Sequence, residues 1–354
     1  MIKRNLKLDI LRGVYLVEMF IDHLSMFIGK NAFLFINGFG QLWVSAAEGF
    51  VFLSGYLVGA IYYPKILNNE LKRVFTRLWK RAAVLYVLGV ILTLLFSVWG
   101  MTIGLFRVLP GQSRYADVPY VIINSLRYRY FYGWADIVGL YAVFLFTAPI
   151  ILVMFKKKLT WLVFIISGFL WTLWRGKLDC HIGCVDIYSI TSWQVLFVIG
   201  MFVGSHKDFF RNIYVKITKS MIINGLLILV FLLSIYLSYR IGTTSSPYSY
   251  IFNKPMLGYG RLALFFVWIV VGYQVIEKLF NLVVKYFGWL FITFGQNSLL
   301  TYVVQAFALY SLHIFKHKFG YFDATLITVV SIPLLWVLVC AVIYIGKRSR
   351  LLKG

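Results

Sequence analysis

The sequence predicts an all-α, polytopic integral membrane protein of about ten transmembrane helices. Three observations predict it. Of 354 residues, 61% are hydrophobic and 13% charged, whereas a soluble domain has about 45–50% apolar and about 25% charged residues. Mean hydropathy is +0.83. The apolar residues are gathered into long runs, not into the short alternating segments of a β-barrel. The same composition excludes a soluble globular protein and a disordered chain. Nothing interrupts the pattern, so residues 1–354 read as one transmembrane domain.

The elements follow in order. Leu8–Ile28 comes after the basic Lys3, Arg4 and Lys7. It is long, carries charges and lacks a small-residue cleavage site, so it reads as a retained span and not as a leader. Trp43–Tyr63 is the second run, and Ala82–Trp99 the third, after the basic segment from Lys65 to Arg81. Ile137–Phe155 stops at Lys156, Lys157 and Lys158. Leu159–Trp174 and Tyr188–Gly204 are the two shortest runs. Ser220–Tyr239 follows a basic connection holding Lys207, Arg211, Lys216 and Lys219. Tyr259–Ile276, Phe287–Tyr310 and Leu326–Ile345 complete the ten, and the last meets Lys347 and Arg348. With the N-terminus in the cytoplasm, Lys and Arg favour the inside over the outside by roughly two to one. Both termini are therefore expected inside. The net charge of +23 then reflects topology and membrane lipid, and no nucleic-acid partner is needed to explain it.

Ionisable groups inside a bilayer are costly and mark function by default. The first run reads Asp9-Ile10-Leu11-Arg12-Gly13 and later Asp22-His23. Arg12 and His23 are eleven residues apart, about three turns plus 20°, so they share one helix face about 16 Å apart. Asp9 falls near the same stripe. The second run carries Glu48, at the same depth as His23 when counted from the span ends. Adjacent antiparallel spans would let the carboxylate orient the imidazole and raise its basicity. Gly55 and Gly59 lie near the Glu48 face and admit a close neighbour. Three readings stay open on these residues alone: a structural polar pair, the relay of a proton-coupled transporter, or a general base.

Further residues narrow the choice. Asp9-Ile10-Leu11-Arg12-Gly13 with Asp22-His23, and then Ala47-Glu48-Gly49-Phe50-Val51-Phe52-Leu53-Ser54-Gly55-Tyr56, resemble the first two spans of the OpgC-type glucan succinyltransferase family. The spacing of Arg12 and His23 also resembles the arginine–histidine motif of the wider membrane acyltransferase superfamily that includes acyltransferase family 3. Ala135-Asp136 with Leu140-Tyr141 and Pro149, the segment from Trp193 to Gly200, Arg261 after Gly258, and Gly295-Gln296-Asn297-Ser298-Leu299 continue the series in order.

The resemblance implies transfer of an acyl group, succinyl or acetyl, from cytoplasmic acyl-coenzyme A to a hydroxyl of an extracytoplasmic glycan or polysaccharide. It implies a multi-pass protein of the inner (cytoplasmic) membrane. Acyl-coenzyme A is then a substrate, with no permanently bound cofactor and no metal; a homo-oligomer is allowed. His23 takes the catalytic place, with Asp22 and Glu48 beside it. Arg12 takes the donor place, with Asp9, Ser54 and Tyr56. Arg73, Arg77 and Arg81 supply cations for donor phosphates, although positive-inside bias explains them equally. Trp134, Asp136, Tyr141, Trp193, Gln194, Arg261, Gln296, Asn297 and Ser298 are placed toward the acceptor.

Two weaker signals remain. Cys180-His181-Ile182-Gly183-Cys184 is half of a typical zinc pattern and reads better as a disulfide or two thiols. The connection from Gly100 to Ala135 is dense in aromatics, including Tyr128, Tyr130 and Phe131. Such rings either stack on sugars or form an interfacial belt. The rival functions are a proton-coupled or lipid-linked-sugar transporter and a structural subunit of a polysaccharide export complex.

Overall fold

A computed structural model describes residues 5–29, 31–33, 41–102, 118–131, 135–172, 190–242, 246–320 and 323–351. Among them are 14 helices: α1 Leu6–Ile28, α2 Ala46–Leu67, α3 Leu71–Thr102, α4 Val118–Leu126, α5 Ala135–Lys156, α6 Thr160–Thr172, α7 Ile190–Ser205, α8 Lys207–Lys219, α9 Met221–Ile241, α10 Tyr248–Ile251, α11 Tyr259–Lys278, α12 Phe280–Gln296, α13 Ser298–Phe319 and α14 Ala324–Leu351. Seven are long and apolar enough to cross a membrane: α2, α3, α5, α9, α11, α13 and the first part of α14. The fold is that of an all-α polytopic membrane protein. Helix α1 is long enough but more heavily charged, and α6 and α7 are apolar but shorter. Cys180, His181, Cys184 and Trp134 lie outside the described residues.

The chain divides into two compact units. The first comprises Met1–Phe50, Lys216–Ile251 and Gly260–Gly354, the second Val51–Val215 and Phe252–Tyr259. In the second unit, α2 and α7 cross at a glycine-lined seam. A Cβ on Gly55 or Gly59 would strike the Phe197 and Met201 carbonyls, and one on Gly200 or Gly204 those of Phe52 and Tyr56. The reciprocal four-residue spacing lets two backbones approach as closely as membrane helices do. It also answers which neighbour Gly55 and Gly59 admit: α7.

Helices α3 and α5 pack around Phe131, whose ring fits between Gly89 and Gly139. Tyr128 stacks on Tyr86 at 5.3 Å and donates to the Gly139 carbonyl at 2.7 Å. Burial, with Tyr86 adding to it, pushes the Tyr128 phenol above its ordinary range, so it stays a neutral donor. Tyr130 and Phe131 are buried. These rings of the aromatic connection are therefore packing groups and are not displayed to a sugar. The basic segment holding Lys72, Arg73, Arg77, Lys80 and Arg81 is the exposed start of the 32-residue α3. The basic stretch after α7 is likewise a helix, α8, with no buried residue, as an interfacial amphipathic segment would be.

In the first unit the ninth apolar run is not one span. Helix α12 ends at Gln296, and α13 starts at Ser298. The intervening Asn297 turns its side-chain amide back to the Thr293 carbonyl at 2.9 Å, competing with helix continuation as Asn does. Helices α1 and α12 touch at two glycines: a Cβ on Gly13 would strike Phe291, and one on Gly295 the Asp9 carbonyl. Lys7 pairs with Glu277 at the end of α11, at 2.6 Å. Helix α12 thus starts and finishes near the same end of α1 and does not run its length. Helix α13 then runs parallel to α1: Arg12 reaches Ser298 at its start, and Ala32, just past α1, donates at 3.1 Å to Thr325 in the first turn of α14, the helix that follows α13.

Candidate functional site

The candidate residues divide between the units. His23, Asp22, Arg12, Asp9, Glu48, Arg261, Gln296, Asn297 and Ser298 belong to the first; Ser54, Tyr56, Arg73, Arg77, Arg81, Asp136, Tyr141, Trp193 and Gln194 belong to the second.

The start of α2 organises the polar interior of the first unit. Ser45 is its N-cap and Glu48 the third helical residue. Glu48 Oε2 accepts from the Ser45 backbone N–H at 3.0 Å and from its hydroxyl at 2.7 Å, the returning half of a capping box. The Ala46 N–H donates to Glu18 Oε1 at 3.1 Å. Two carboxylates thus serve the exposed N–H groups and positive dipole end of one helix. Glu48 Oε1 lies 2.7 Å from Arg261 Nε, with both side chains almost fully buried. The contact is a close ion pair without the alignment of a hydrogen bond, and Arg261 Nη1 has no hydrogen-bond partner among the described residues.

Arg12 donates to Ser298 Oγ, and its guanidinium sits 5.7 Å from the centre of the Phe50 ring. Arg is suited to such a place because its plane stacks on a ring while its edges donate. Asp9 is buried one turn below. His23 is half-buried, with Nδ1 shielded from solvent. The Asp22 carbonyl accepts from Ser25 Oγ at 2.6 Å.

Two expectations change here. The first is the depth of Glu48. Its helix starts level with Tyr15 and Glu18, since the Tyr15 ring fills the place a Cβ on Gly49 would take and Glu18 receives Ala46 N–H. His23 lies about 7 to 12 Å further along α1. Counting from the span ends missed this, because it set the start of α2 level with the end of α1, whereas α2 starts at Ala46, beside Glu18. The second is the single span Phe287–Tyr310; Ser298, which the resemblance places toward the acceptor, lies at its break. The break at Asn297 puts Ser298 at the start of α13, against Arg12. Gln296 is exposed, and Asn297 bonds its own helix.

The second unit uses several candidates for packing. Trp193 is fully buried and donates to the Pro255 carbonyl at 3.1 Å. The Gln194 amide is engaged at both ends, accepting from Ser167 Oγ and donating to the Ser167 carbonyl, each at 2.8 Å. Asp136 is buried in the first turn of α5, where Oδ1 accepts from Ile137 N–H at 2.7 Å. Tyr141 is half-buried on the same helix. Arg73 pairs with Glu70 at 2.7 Å, while Arg77 and Arg81 are exposed.

Sequence reasoning passed over Tyr15, Glu18, Ser45 and Gln305. Glu18 had a signal, an acid inside an apolar run, and Ser45-Ala46-Ala47-Glu48 spelled a capping box. Gln305 had none.

No curated protein and no solved structure matches the chain. The family model described as OpgC protein matches residues 4–350. That match covers both units and every candidate residue above: the chain belongs to the OpgC protein family.

Proposed function

We propose that the chain is an integral-membrane O-acyltransferase that moves a succinyl or acetyl group from cytoplasmic acyl-coenzyme A to a hydroxyl of an extracytoplasmic glycan. The observation that carries this reading is the family match over nearly the whole chain, which favours a glucan acceptor and a succinyl group. Arg12, with Asp9 beneath it, marks the donor end of α1. Its guanidinium offers the planar, bidentate recognition that phosphate and thioester oxygens favour. His23, about 16 Å further along the same face, is the general base. It must be neutral to accept a proton.

Glu48 serves the site by fixing Arg261. Both of its oxygens are committed, to Ser45 and to Arg261, so this role fits its register better than direct contact with His23. Arg261 is the acceptor-side cation in this reading. Acyl-coenzyme A is a substrate, and the topology that brings it to Arg12 has both termini in the cytoplasm.

The test is release of coenzyme A thiol by the purified full-length protein in lipid nanodiscs, given succinyl- or acetyl-coenzyme A and glucan oligosaccharides. Acyl ester on the glucan, lost by about 10²–10⁴ in rate in His23→Ala, is the expected result. Wild-type protein that neither releases thiol nor esterifies glucan refutes the enzyme. Undiminished transfer by His23→Ala refutes the base.

A further inference from the structure

Gln305 stands out among the buried polar groups of the first unit. It is 1% exposed, yet neither its amide oxygen nor its amide nitrogen has a hydrogen-bond partner among the described residues. Such a group forfeits its water bonds on burial and gains nothing in return. In an apolar helix surrounded by lipid the same position filled by Leu or Met would be more stable. A costly group of this kind is retained where a ligand supplies the missing partner.

Its place says which ligand. Gln305 is seven residues after Ser298, two turns less 20°, so both lie on one face of α13. That face is buried: Ser298, Thr301, Tyr302, Gln305 and Leu309 all belong to it. Ser298 accepts from Arg12, so the face is turned to the stripe of α1 that carries Arg12 and His23. Helices α13 and α1 run parallel. Gln305 is therefore about 10 Å beyond the Arg12 level, and His23 about 16 Å beyond it. The amide sits between the two, about one turn short of the imidazole.

We infer that Gln305 is a catalytic residue that receives the thioester carbonyl, its Nε2–H donating to that oxygen; the inference rests on the acyl-transfer reading above. In the step it serves, the sugar hydroxyl oxygen bonds to the thioester carbon while His23 takes the hydroxyl proton. The carbonyl electron pair moves onto oxygen, and Gln305 Nε2–H holds the resulting oxyanion. The pair then returns, the carbon–sulfur bond breaks, and the sulfur leaves with the proton from His23. Glycan ester and coenzyme A thiol are the products, in balance with glycan hydroxyl and thioester. An amide held ready at that oxygen gains strength as the charge develops, so its effect falls on kcat.

The experiment compares wild type, Gln305→Met and Gln305→Glu in nanodiscs, with succinyl-coenzyme A and glucan oligosaccharides. It reads kcat, donor KM and Tm for each. Met keeps the volume and removes both polar atoms; Glu keeps an oxygen and removes the N–H. The expected result is a fall in kcat of about 10²–10³ in both, with donor KM within about threefold. In Met, Tm is expected to hold or rise, because a buried unsatisfied amide has gone. Retained kcat in either variant overturns the inference while leaving the acyl-transfer reading intact. A fall in Tm of Gln305→Met together with the loss of activity also overturns it, by showing a structural amide. An inactive wild type removes the acyl-transfer reading, and this inference with it.

Discussion

Glu48→Gln isolates the charge of the buried pair from every other role of Glu48. Gln at the third helical position still caps Ser45, and its volume is the same. What changes is that Arg261, 2% exposed, loses the anion 2.7 Å from its Nε. Breaking one side of a buried pair costs about 3–5 kcal/mol, because a charge is left without compensation. Arg261→Met leaves the Glu48 carboxylate with Ser45 alone and belongs in the same range. The double variant removes both charges and is expected within about 2 kcal/mol of wild type. The coupling energy of the cycle is then several kcal/mol, well above the scatter of independent sites. Glu48→Ala, which also removes the cap, should lose about 1 kcal/mol more than Glu48→Gln. Unfolding of the protein in bicelles by titration with an ionic detergent, followed by tryptophan fluorescence, measures all four. Single variants within about 1 kcal/mol of wild type, or a double variant equal to the sum of its singles, would refute the argument.

Three further outcomes are expected. Gly200→Ala puts a methyl against the Phe52 carbonyl and should cost about 1–3 kcal/mol in the same titration; unchanged stability sinks the glycine-lined seam. Arg12→Lys replaces a planar fork with a point charge and should raise donor KM about tenfold or more; unchanged donor binding in both Arg12→Lys and Arg12→Ala removes its donor role. Single cysteines at Lys158 and Lys285 should label from the cytoplasm and one at Asp323 from outside. Labelling of Lys285 from outside would contradict an α12 that starts and finishes at the Lys7 end of α1.

The helices were legible because apolar runs of spanning length leave little choice of structure, and nine of the ten runs each overlap one helix among the described residues. What periodicity could not place was the break at Asn297. Phe287–Tyr310 is continuously apolar enough to hide it, and only a polar side chain returning to its own backbone marks it. The same limit hid the contact of Ser298 with Arg12, since a residue's partner depends on which end of a helix it occupies. The Arg12 and His23 stripe was legible from spacing alone, since a helix fixes angle and rise. Depth between two helices is another matter. Counting from apolar run ends put Glu48 level with His23, whereas the cap at Ser45 and the Tyr15 ring beneath Gly49 set the true register.

The two units solve the problem of helix association differently, and the contrast bears on function. Lipid offers no hydrophobic drive between helices, so contact must come from close packing or from polar bonds. The α2–α7 seam takes the first route, backbone on backbone at Gly55, Gly59, Gly200 and Gly204. The first unit has that route as well, at Gly13 and Gly295, yet it also buries Asp9 and an ion pair of Glu48 with Arg261, whereas the buried Asp136 of the second unit accepts from its own helix N-terminus. Packing alone suffices where only adhesion is needed, and a buried ion pair is a weak way to gain stability. Charges kept where glycine contact was already available are there for something other than adhesion. In a membrane such groups mark a path for charged or polar groups by default, which is what the proposed acyl transfer along the Arg12–His23 face of α1 requires.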